Sequence, residues 1–271
     1  MDKFVIRLIK IILWFRYRIS VSGLDEIKQD SRPILFVANH PSLSDPLIVI
    51  QLLWHKFHPK ALVRDLQINR PIIGACIRSF EPISMPDMRK DAKKKASWAR
   101  QSIELTKEAL GDGHNILIWP AGKLSRDGYD YFIQRSSTHQ VFKSRSDCRI
   151  VALRSTGIWG SRSSWYNGPD TPIWKIGLMG LIFIPLNLFF FMPKRHIHYE
   201  VQELKELEGL ERTAFNTRLQ NYFNAKPQPA QITPLMWWHK VRFSPAKTPK
   251  TAEELLQKEE KQPPQKQKGI S

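Results

Sequence analysis

The chain has 271 residues, 42% of them hydrophobic, which is enough for one large domain with a sizeable core. Its formal net charge of +17 predicts an anionic partner, which composition alone leaves open as nucleic acid, acidic lipid headgroups or phosphorylated small molecules. The two cysteines, Cys76 and Cys148, have no CxxC spacing, which argues against a disulfide framework or a zinc site and favours a reducing compartment.

Residues 1–18 are predicted to form an amphipathic helix that lies in a membrane interface. Basic residues at positions 3, 7 and 10 share one helical stripe with Trp14 and Tyr17, and the remaining faces are apolar. The basic residues interrupt the apolar run and no small-residue cleavage site follows, which argues against a signal peptide. The alternative is an N-terminal helix that packs in the protein core.

From residue 19 to residue 240 the pattern predicts one α/β domain with a largely parallel central sheet flanked by helices. Short apolar runs, typical of strands buried on both faces, alternate with helical segments. The predicted strands are an edge strand within 19–27, then 34–38, 60–64, 115–119, 150–153 and 196–201. The predicted helices are 45–54, 87–110 and 208–224. In such sheets ligands bind beyond the carboxyl ends of the strands.

Two further segments do not follow this alternation. Residues 176–192 are the most apolar stretch, but Pro185 and Asn187 interrupt them, and a ~30 Å hydrocarbon layer needs about 20 residues. We therefore predict a partly inserted hairpin or a membrane-docking segment rather than a transmembrane helix. Residues 241–271 are rich in Lys, Gln, Glu and Pro, which predicts a disordered basic tail.

A histidine and an aspartate five positions apart follow the strand at 34–38. On one helix their side chains would diverge by about 140°, so a turn is needed to bring them together. Pro41 keeps His40 out of the helical region, and Asp45 is predicted to cap the next helix, with Pro46 at its first position. The turn can place the Asp45 carboxylate against the imidazole, which fixes its tautomer for accepting a proton. Taken alone, this spacing is more often structural.

The letters around the pair resemble the NHxxxxD signature of PlsC-like glycerolipid acyltransferases, since residues 39–46 read NHPSLSDP. The resemblance covers roughly residues 17–240. Further blocks stand where the family has its own: SGLDEI at 22–27, ALVRDL at 61–66 followed by Pro71 and Gly74, PISMP at 82–86 and ILIWPAGKLSR at 116–126. GIWGSRSS and FFFMPKRHIHYEV resemble the branch fused to acyl-ACP or acyl-CoA synthetases.

The resemblance implies a glycerol-3-phosphate acyltransferase-like fold in which His40 is the general base and Asp45 orients it. The base would deprotonate the free hydroxyl of a lysophospholipid or 1-acylglycerol-3-phosphate, and the oxygen would attack the thioester of acyl-CoA or acyl-ACP. These thioesters are co-substrates, and no further cofactor is implied. No metal is expected, because the histidine pairs 55/58 and 196/198 have no nearby carboxylate or thiolate in the sequence.

The predicted substrate-binding residues are Asn39, Gly122, Lys123 and Arg126. The glycine exposes backbone amides and the two cations supply charge for a phosphate. The third motif departs from the family, which carries Glu at the position of Ala121, and Lys123-Leu124 stand where it has Thr-Arg. We therefore expect a changed acceptor, such as a lysophospholipid with a larger headgroup. The alternative is a catalytically inactive acyltransferase-like scaffold that binds anionic lipid or RNA.

The aromatic residues favour lipid as the partner. They cluster at 13–17 and 183–191, within apolar segments, whereas nucleic-acid binders of this charge present aromatics inside a basic patch. We expect membrane phospholipid or lysophospholipid and acyl-CoA or acyl carrier protein as partners, and no nucleic acid. The expected location is the cytoplasmic face of a bacterial inner membrane, with peripheral or monotopic attachment. The oligomeric state stays open.

Overall fold

The computed structural model describes residues 2–70, 73–86, 95–132, 136–145, 147–168, 173–251 and 254. The strands are β1 (Tyr17–Ser22), β2 (Ile34–Ala38), β3 (Lys60–Arg64), β4 (Ile83–Met85), β5 (Ile116–Ile118), β6 (Arg149–Thr156), β7 (Arg195–Glu203), β8 (Ala230–Ile232) and β9 (Arg242–Ser244). The helices are α1 (Asp2–Arg16), α2 (Asp45–Phe57), α3 (Asp65–Ile68), α4 (Ile73–Arg78), α5 (Lys95–Gly111), α6 (Thr138–Phe142), α7 (Ile173–Leu186) and α8 (Arg212–Asn224). Short 3₁₀ turns occupy Trp165–Asn167 and Lys205–Leu207.

Seven of the described strands form one sheet in the order β1-β7-β6-β2-β5-β3-β4. Strands β2 to β6 run parallel to one another. β7 runs antiparallel to β6, and β1 at the edge is parallel to β7. The predicted α/β fold with a largely parallel sheet is confirmed, and β1 is the predicted edge strand.

The sheet is buried on both faces, because successive side chains of a strand point to opposite sides. In β2, Leu35 and Val37 belong to one core while Phe36 and Ala38 belong to the other, and all four are fully buried. α1 and α2 contribute to the Phe36 core, and α5, α6 and α8 to the Leu35 core. A central strand covered on both faces needs the continuous apolar run that the sequence has here.

Three loops leave the same edge of the sheet. Because β2, β5 and β6 are parallel neighbours, the loops 39–44, 119–132 and 157–164 all begin at their carboxyl ends. The antiparallel β7 starts at this edge as well, since His198 lies opposite Thr156 in the register. The predicted site residues of the first two loops are therefore brought to one edge.

α1 confirms the predicted N-terminal helix, but it ends at Arg16 because the following residues pair with β7 as β1, so the range 1–18 is corrected. One side of α1 is buried in the core through Ile6, Ile9 and Leu13. A second group of apolar side chains is exposed: Phe4, Leu8, Ile11, Ile12 and Trp14. At about 100° per residue the two groups lie on roughly opposite faces. The helix therefore packs in the core and keeps an exposed apolar face, while its contact with a membrane stays a prediction.

The apolar segment 176–192 folds as most of α7 followed by a turn. Asn187 is fully buried just after the helix, and many of the apolar side chains around it are exposed. The exposed side chains are Leu178, Leu181, Ile182, Leu186, Leu188, Phe189, Phe190 and Phe191. Within the described residues no helix combines the length and the apolar character that a membrane crossing requires.

Two boundaries differ from the prediction. β9 pairs with β8, so strand pairing continues beyond residue 241, where the disordered tail was expected to begin. The reason is that Arg242–Ser244 adds a second strand to Ala230–Ile232, a pairing that composition does not indicate. The predicted helix at 87–110 is described as α5 from Lys95, and residues 87–94 lie outside the described part of the chain.

Candidate active site

The loop 39–44 brings His40 and Asp45 together. His40 Nδ1 lies 3.3 Å from Asp45 Oδ2, at the long end of the hydrogen-bond range. The His40 side chain is 16% exposed, whereas that of Asp45 is fully buried. When Nδ1 donates to the carboxylate, Nε2 carries the free lone pair, and it has no hydrogen bond to a described residue. The imidazole is thus arranged to take a proton from a group that reaches it from solvent.

Three donors converge on the Asp45 carboxylate. Besides His40, the Trp119 indole N–H donates to Oδ2 at 2.8 Å and the Tyr199 hydroxyl donates to Oδ1 at 2.7 Å. Burial and the neighbouring carboxylate raise the pKa of Tyr199 well above its ordinary value, so its hydroxyl remains a donor. A buried carboxylate with these three partners is held in one orientation.

The predicted capping role of Asp45 is wrong. Asp45 is the first residue of α2, Ser44 occupies the N-cap position, and that cap has no side-chain hydrogen bond. The physical reason is that the Asp45 carboxylate turns inward to the three donors instead of outward to the backbone N–H groups of its own helix.

The loop after β5 holds the backbone of His40 on both sides. The Ser125 N–H donates to the His40 carbonyl at 2.9 Å, and the His40 N–H donates to Asp130 Oδ2 at 2.9 Å. The peptide groups of the histidine are therefore fixed by the neighbouring loop, while its ring is fixed by Asp45.

Asp130 is a second buried carboxyl group beside the histidine. It is 3% exposed, and its Oδ1 has no hydrogen-bond partner among the described residues. Burial raises the pKa of Asp130 to about 7, against the lowering effects of the His40 N–H and of the imidazole. Its main chain is held by Asn224, whose amide bonds to both the N–H and the carbonyl.

Four serine hydroxyls join the loops 39–44 and 157–164. Ser163 Oγ lies 2.6 Å from both Ser42 Oγ and Ser44 Oγ, and Ser161 Oγ lies 3.1 Å from Ser163 Oγ. The Leu43 N–H also donates to the Ser163 carbonyl at 2.9 Å. The loop that carries His40 is therefore bound to both neighbouring loops at the sheet edge.

The contacts of Asn39 lie inside the protein, and its binding to substrate stays a prediction. Asn39 is buried, and its Oδ1 accepts from the Ser155 N–H at 2.8 Å and from the Ser155 hydroxyl at 2.9 Å. Its amide nitrogen donates to the Ser155 carbonyl. Both ends of the amide are used inside the protein, so Asn39 links the end of β2 to β6.

The other three predicted binding residues lie in the loop that contacts His40. Gly122 is exposed with a left-handed φ of 61°, which favours glycine at this turn. Lys123 and Arg126 are exposed on either side of Ser125. The Arg126 guanidinium carbon lies 4.9 Å from the centre of the Trp165 ring, which positions it over the 157–168 segment. Two cations thus lie close in sequence to Ser125, whose N–H bonds to the His40 carbonyl.

Ala121, which stands where the family motif has Glu, is half-buried and packs against the Leu35 core. Its methyl group offers no hydrogen bond or charge to a ligand. Any polar recognition in this loop must therefore come from the following residues.

Sequence reasoning missed Trp119, Tyr199, Ser125 and Asp130. Trp119 stands directly before the Pro120 turn, a position that signals proximity to the site but not the donation to Asp45. Tyr199 lies 154 residues from Asp45, and only the strand order brings the two together. Nothing in the sequence distinguishes Asp130 from its neighbour Asp127.

The fold and the geometry define an α/β protein with a histidine and a buried aspartate arranged for general base chemistry at the carboxyl edge of its sheet. A family model for acyltransferases matches residues 18–156, slightly more than half of the chain. The chain belongs to the acyltransferase family. The family resemblance read from the sequence is confirmed, and its assignment to the synthetase-fused branch stays a prediction.

A solved structure shares this fold. The crystal structure of the 1-acyl-sn-glycerophosphate (LPA) acyltransferase PlsC from Thermotoga maritima is similar with a TM-score of 0.54 and 15% sequence identity, covering 82% of this chain and 77% of that chain. At this identity the similarity shows the α/β fold. No sequence among the curated proteins matches this chain significantly.

Proposed function

We propose that the protein is a membrane-associated O-acyltransferase that moves a fatty acyl group from acyl-CoA or acyl-ACP to the free hydroxyl of a lysophospholipid or 1-acylglycerol-3-phosphate. The observation that carries the proposal is the contact between His40 Nδ1 and the buried Asp45 carboxylate, within a family of acyltransferases. It leaves Nε2 of His40 as the base that an acceptor hydroxyl can reach.

The reaction follows from this geometry. His40 Nε2 takes the proton of the acceptor hydroxyl while the oxygen of that hydroxyl attacks the thioester carbonyl carbon. Asp45 stabilises the imidazolium that forms, and Trp119 and Tyr199 hold the carboxylate in place. When the carbon–sulfur bond breaks, the imidazolium returns the proton to the thiolate, which leaves as the free thiol of CoA or the carrier protein. The ester forms without a covalent enzyme intermediate.

The loop after β5 is proposed to bind the phosphate of the acceptor. Lys123 and Arg126 are exposed beside Ser125, which contacts the His40 backbone, so their charge lies close to the base. Cationic side chains and the exposed backbone at Gly122 suit a phosphate group. Because Ala121 supplies no carboxylate, we propose that the preferred acceptor has a headgroup larger than a bare phosphate.

Attachment to a membrane is supported by an exposed apolar surface, which we call the docking surface. It comprises the exposed face of α1 (Phe4, Leu8, Ile11, Ile12 and Trp14), the segment 186–191 and the pair Trp237-Trp238. The buried Asn187 joins the last two, since its amide nitrogen donates to the Leu235 carbonyl at 2.8 Å and its Oδ1 accepts from the Trp237 N–H at 3.1 Å.

Arg16 ties the end of α1 to the same region. Its guanidinium donates to the Pro193 carbonyl at 2.7 Å and to the Pro234 carbonyl at 2.8 Å. The three apolar segments are thus linked by hydrogen bonds at their bases. Exposed apolar patches of this extent mark interaction sites.

The turn that presents Phe190 and Phe191 is conformationally demanding. Leu188 and Phe189 both adopt a left-handed φ, of 49° and 63°, which is uncommon for residues other than glycine. Such backbone strain concentrates at functional segments.

Exposed basic residues at positions 3, 7 and 10 flank the apolar face of α1. Basic residues near an anionic surface each contribute about 1 kcal/mol of attraction. We propose the cytoplasmic leaflet of a bacterial inner membrane as the location.

The proposal is tested by acyl transfer from labelled acyl-CoA and acyl-ACP to a panel of acceptors. The panel contains 1-acylglycerol-3-phosphate and lysophospholipids with larger headgroups, presented in detergent micelles. We expect transfer from at least one donor, fastest to an acceptor with a larger headgroup. Absence of transfer to every acceptor, together with binding to anionic vesicles or to RNA, would instead identify a catalytically inactive scaffold.

A further inference from the structure

A small basic cavity lies at the outer edge of the sheet, between β1, β7 and the end of β6. It has a volume of about 200 Å³, below the ~300 Å³ at which sites for drug-sized ligands begin. The side chains that define it are Arg18, Ser20, Thr156, His196 and His198. We call it the Arg18 pocket. Its size suits a compact polar group rather than an acyl chain or a nucleotide.

The polar groups of the Arg18 pocket are held in position by the strand register. Arg18 lies directly opposite His196 on the paired strands, and Ser20 lies opposite His198. The His198 ring is fixed between two hydroxyls, with Nδ1 2.9 Å from Ser20 Oγ and Nε2 3.1 Å from Ser22 Oγ. The Arg18 guanidinium and the His196 imidazole face the cavity and supply donors for the oxygens of a phosphate, whereas both ring nitrogens of His198 are already bonded to the two serines.

No acidic residue among those described lines the Arg18 pocket. Glu200 follows on the same face of β7, but its carboxylate accepts from Arg154 Nη2 at 2.7 Å and from the Lys226 ammonium. That carboxylate is therefore neutralised by two cations of its own. The positive charge of Arg18 is left to attract an anion.

The Arg18 pocket adjoins the docking surface. The Lys194 ammonium lies 3.5 Å from the centre of the Trp14 ring, and Trp14 is part of the exposed face of α1. Lys194 directly precedes β7 and stands two residues before His196, which lines the pocket. Tryptophan with an adjacent lysine is typical of the headgroup layer of a membrane. The pocket lies on the sheet face opposite to the one on which α1 packs, and the Lys194–Trp14 contact brings its edge next to the docking surface.

The Arg18 pocket is separate from the active site. Arg18 lies on β1, and β7 and β6 lie between β1 and β2, the strand that leads to His40, which places the cation of the pocket ~14 Å from β2 at ~4.8 Å per strand. The pocket side chains also point to the sheet face opposite that of Tyr199, which bonds to Asp45, because His196 and His198 alternate with it along β7. A phosphate in this pocket would not be the acceptor phosphate beside His40.

We propose that the Arg18 pocket binds the phosphate of an anionic phospholipid in the leaflet on which the docking surface rests, and so fixes the orientation of the enzyme on the membrane. The proposal rests on the membrane attachment in the proposed function, but it does not depend on catalysis. The adjacency to Trp14 and Lys194 favours a lipid headgroup over phosphate from solution as the source of the ligand.

The test is vesicle co-sedimentation of the full chain with neutral phosphatidylcholine vesicles and with vesicles that also contain phosphatidylglycerol. The variants are Arg18→Gln and His196→Gln. The matched control is Lys205→Gln, which removes the same unit charge as Arg18→Gln from an exposed position beyond the far end of β7. Thermal unfolding by circular dichroism verifies that each variant is folded. If Arg18→Gln is not folded, His196→Gln replaces it as the test variant.

We expect Arg18→Gln to weaken binding to the phosphatidylglycerol vesicles about fivefold, the effect of one basic contact, and to leave binding to neutral vesicles unchanged. Lys205→Gln should bind both kinds of vesicle like the wild type. Equal effects of Arg18→Gln and Lys205→Gln would overturn the proposal, because the vesicles would then attract the overall charge of the protein. No effect of either variant would also overturn it, because Arg18 would then not contribute to binding.

Two further arms separate the remaining explanations. Titration of vesicle-free protein with glycerol-3-phosphate, followed by the imidazole NMR signals of His196 and His198, should give no saturation at millimolar concentration. Saturation there would overturn the lipid assignment in favour of a site for soluble phosphate. A wild-type protein that binds no vesicles would also overturn the proposal, whereas the acyl-transfer assay in micelles would still decide the proposed function on its own.

Discussion

The loops after β2 and β5 leave neighbouring parallel strands, yet their side chains face different surroundings. Directly after the first loop, the Asp45 carboxylate is fully buried and accepts from three donors. In the second loop Lys123 and Arg126 are exposed to solvent. Buried polar groups must be paired, so one partner of Asp45 cannot change without a cost in free energy. Exposed cations can be exchanged at little cost to folding, which leaves acceptor recognition free to diverge while the base is fixed by packing.

The two loops are nevertheless coupled through the main chain. The second loop supplies Ser125 and Asp130, which bond to the carbonyl and the N–H of His40. Recognition of the acceptor and positioning of the base therefore meet in one segment. Substitutions in that segment are therefore of two kinds: those that alter binding of the acceptor, and those that alter the position of His40.

Among changes that leave His40 itself in place, the largest effect should come from Asp45→Asn. The amide turns one donor group toward the Trp119, Tyr199 and His40 donors, so it loses charge stabilisation of the imidazolium and leaves a buried donor unpaired. We expect a fall in kcat of about 10²- to 10³-fold and a loss of about 1–3 kcal/mol in the free energy of unfolding. Steady-state kinetics and urea unfolding measure the two effects.

Tyr199→Phe is the matched control for that change. It removes one donor to Asp45 but keeps the carboxylate and its contact with His40. We expect a much smaller loss of kcat than in Asp45→Asn. Equal losses in both variants would contradict the view that the carboxylate charge acts on the histidine, and would indicate a purely structural network.

The double variant Lys123→Gln with Arg126→Gln should have the next largest effect. Loss of charge-assisted contacts to a phosphate is expected to raise KM for the acceptor about tenfold and to leave kcat nearly unchanged, since the base is not touched. Kinetics with a phosphate-containing acceptor and a fixed donor measure this split. Lys205→Gln provides the control for a general loss of charge. A fall in kcat with unchanged KM would break the proposed division between the two loops.

Asp130→Asn should show its effect in the pH dependence of stability. Burial raises the pKa of Asp130 from 3.8 to about 7 in the folded protein, so the folded state binds more protons than the unfolded state between about pH 4 and pH 7. The contribution of Asp130 to the free energy of unfolding is therefore fully present below that window. It is lost as the pH rises through about 7.

Urea unfolding at several pH values measures this contribution. Relative to Asp130→Asn, the wild type should become less stable as the pH rises across the window, by at most about 1.4 kcal/mol per pH unit. Asparagine can still accept from the His40 N–H, so the contact that holds the histidine is kept. Parallel pH profiles of the two proteins would contradict the raised pKa.

Much of the fold was predictable because the strands of a buried parallel sheet are continuous apolar runs. Ile34–Ala38 is buried at every position, and the run in the sequence matches the strand. The C-terminal end of α1 was harder to predict. Tyr17 and Arg18 continue the helical stripe, and only their pairing with β7 makes them a strand. Likewise β9 is defined by its partner rather than by its own composition.

Only the contacts between residues close in sequence could be predicted for the site. His40 and Asp45 are five positions apart, and two prolines, Pro41 and Pro46, indicate the turn and the start of the helix that bring their side chains together. The bonds between Asn39 and Ser155 join residues 116 positions apart, and the sequence around Asn39 does not indicate them. The donors Trp119 and Tyr199 reach Asp45 through the strand order, which no local pattern contains.

In the proposed mechanism His40 acts as the general base for acyl transfer. The most direct test compares wild type and His40→Ala in detergent micelles, with labelled acyl-CoA and the best acceptor of the panel, so that membrane attachment plays no part. We expect a fall in kcat of about 10²- to 10⁴-fold in a variant that unfolds at nearly the same temperature as the wild type. A folded His40→Ala protein with wild-type kcat would contradict this mechanism.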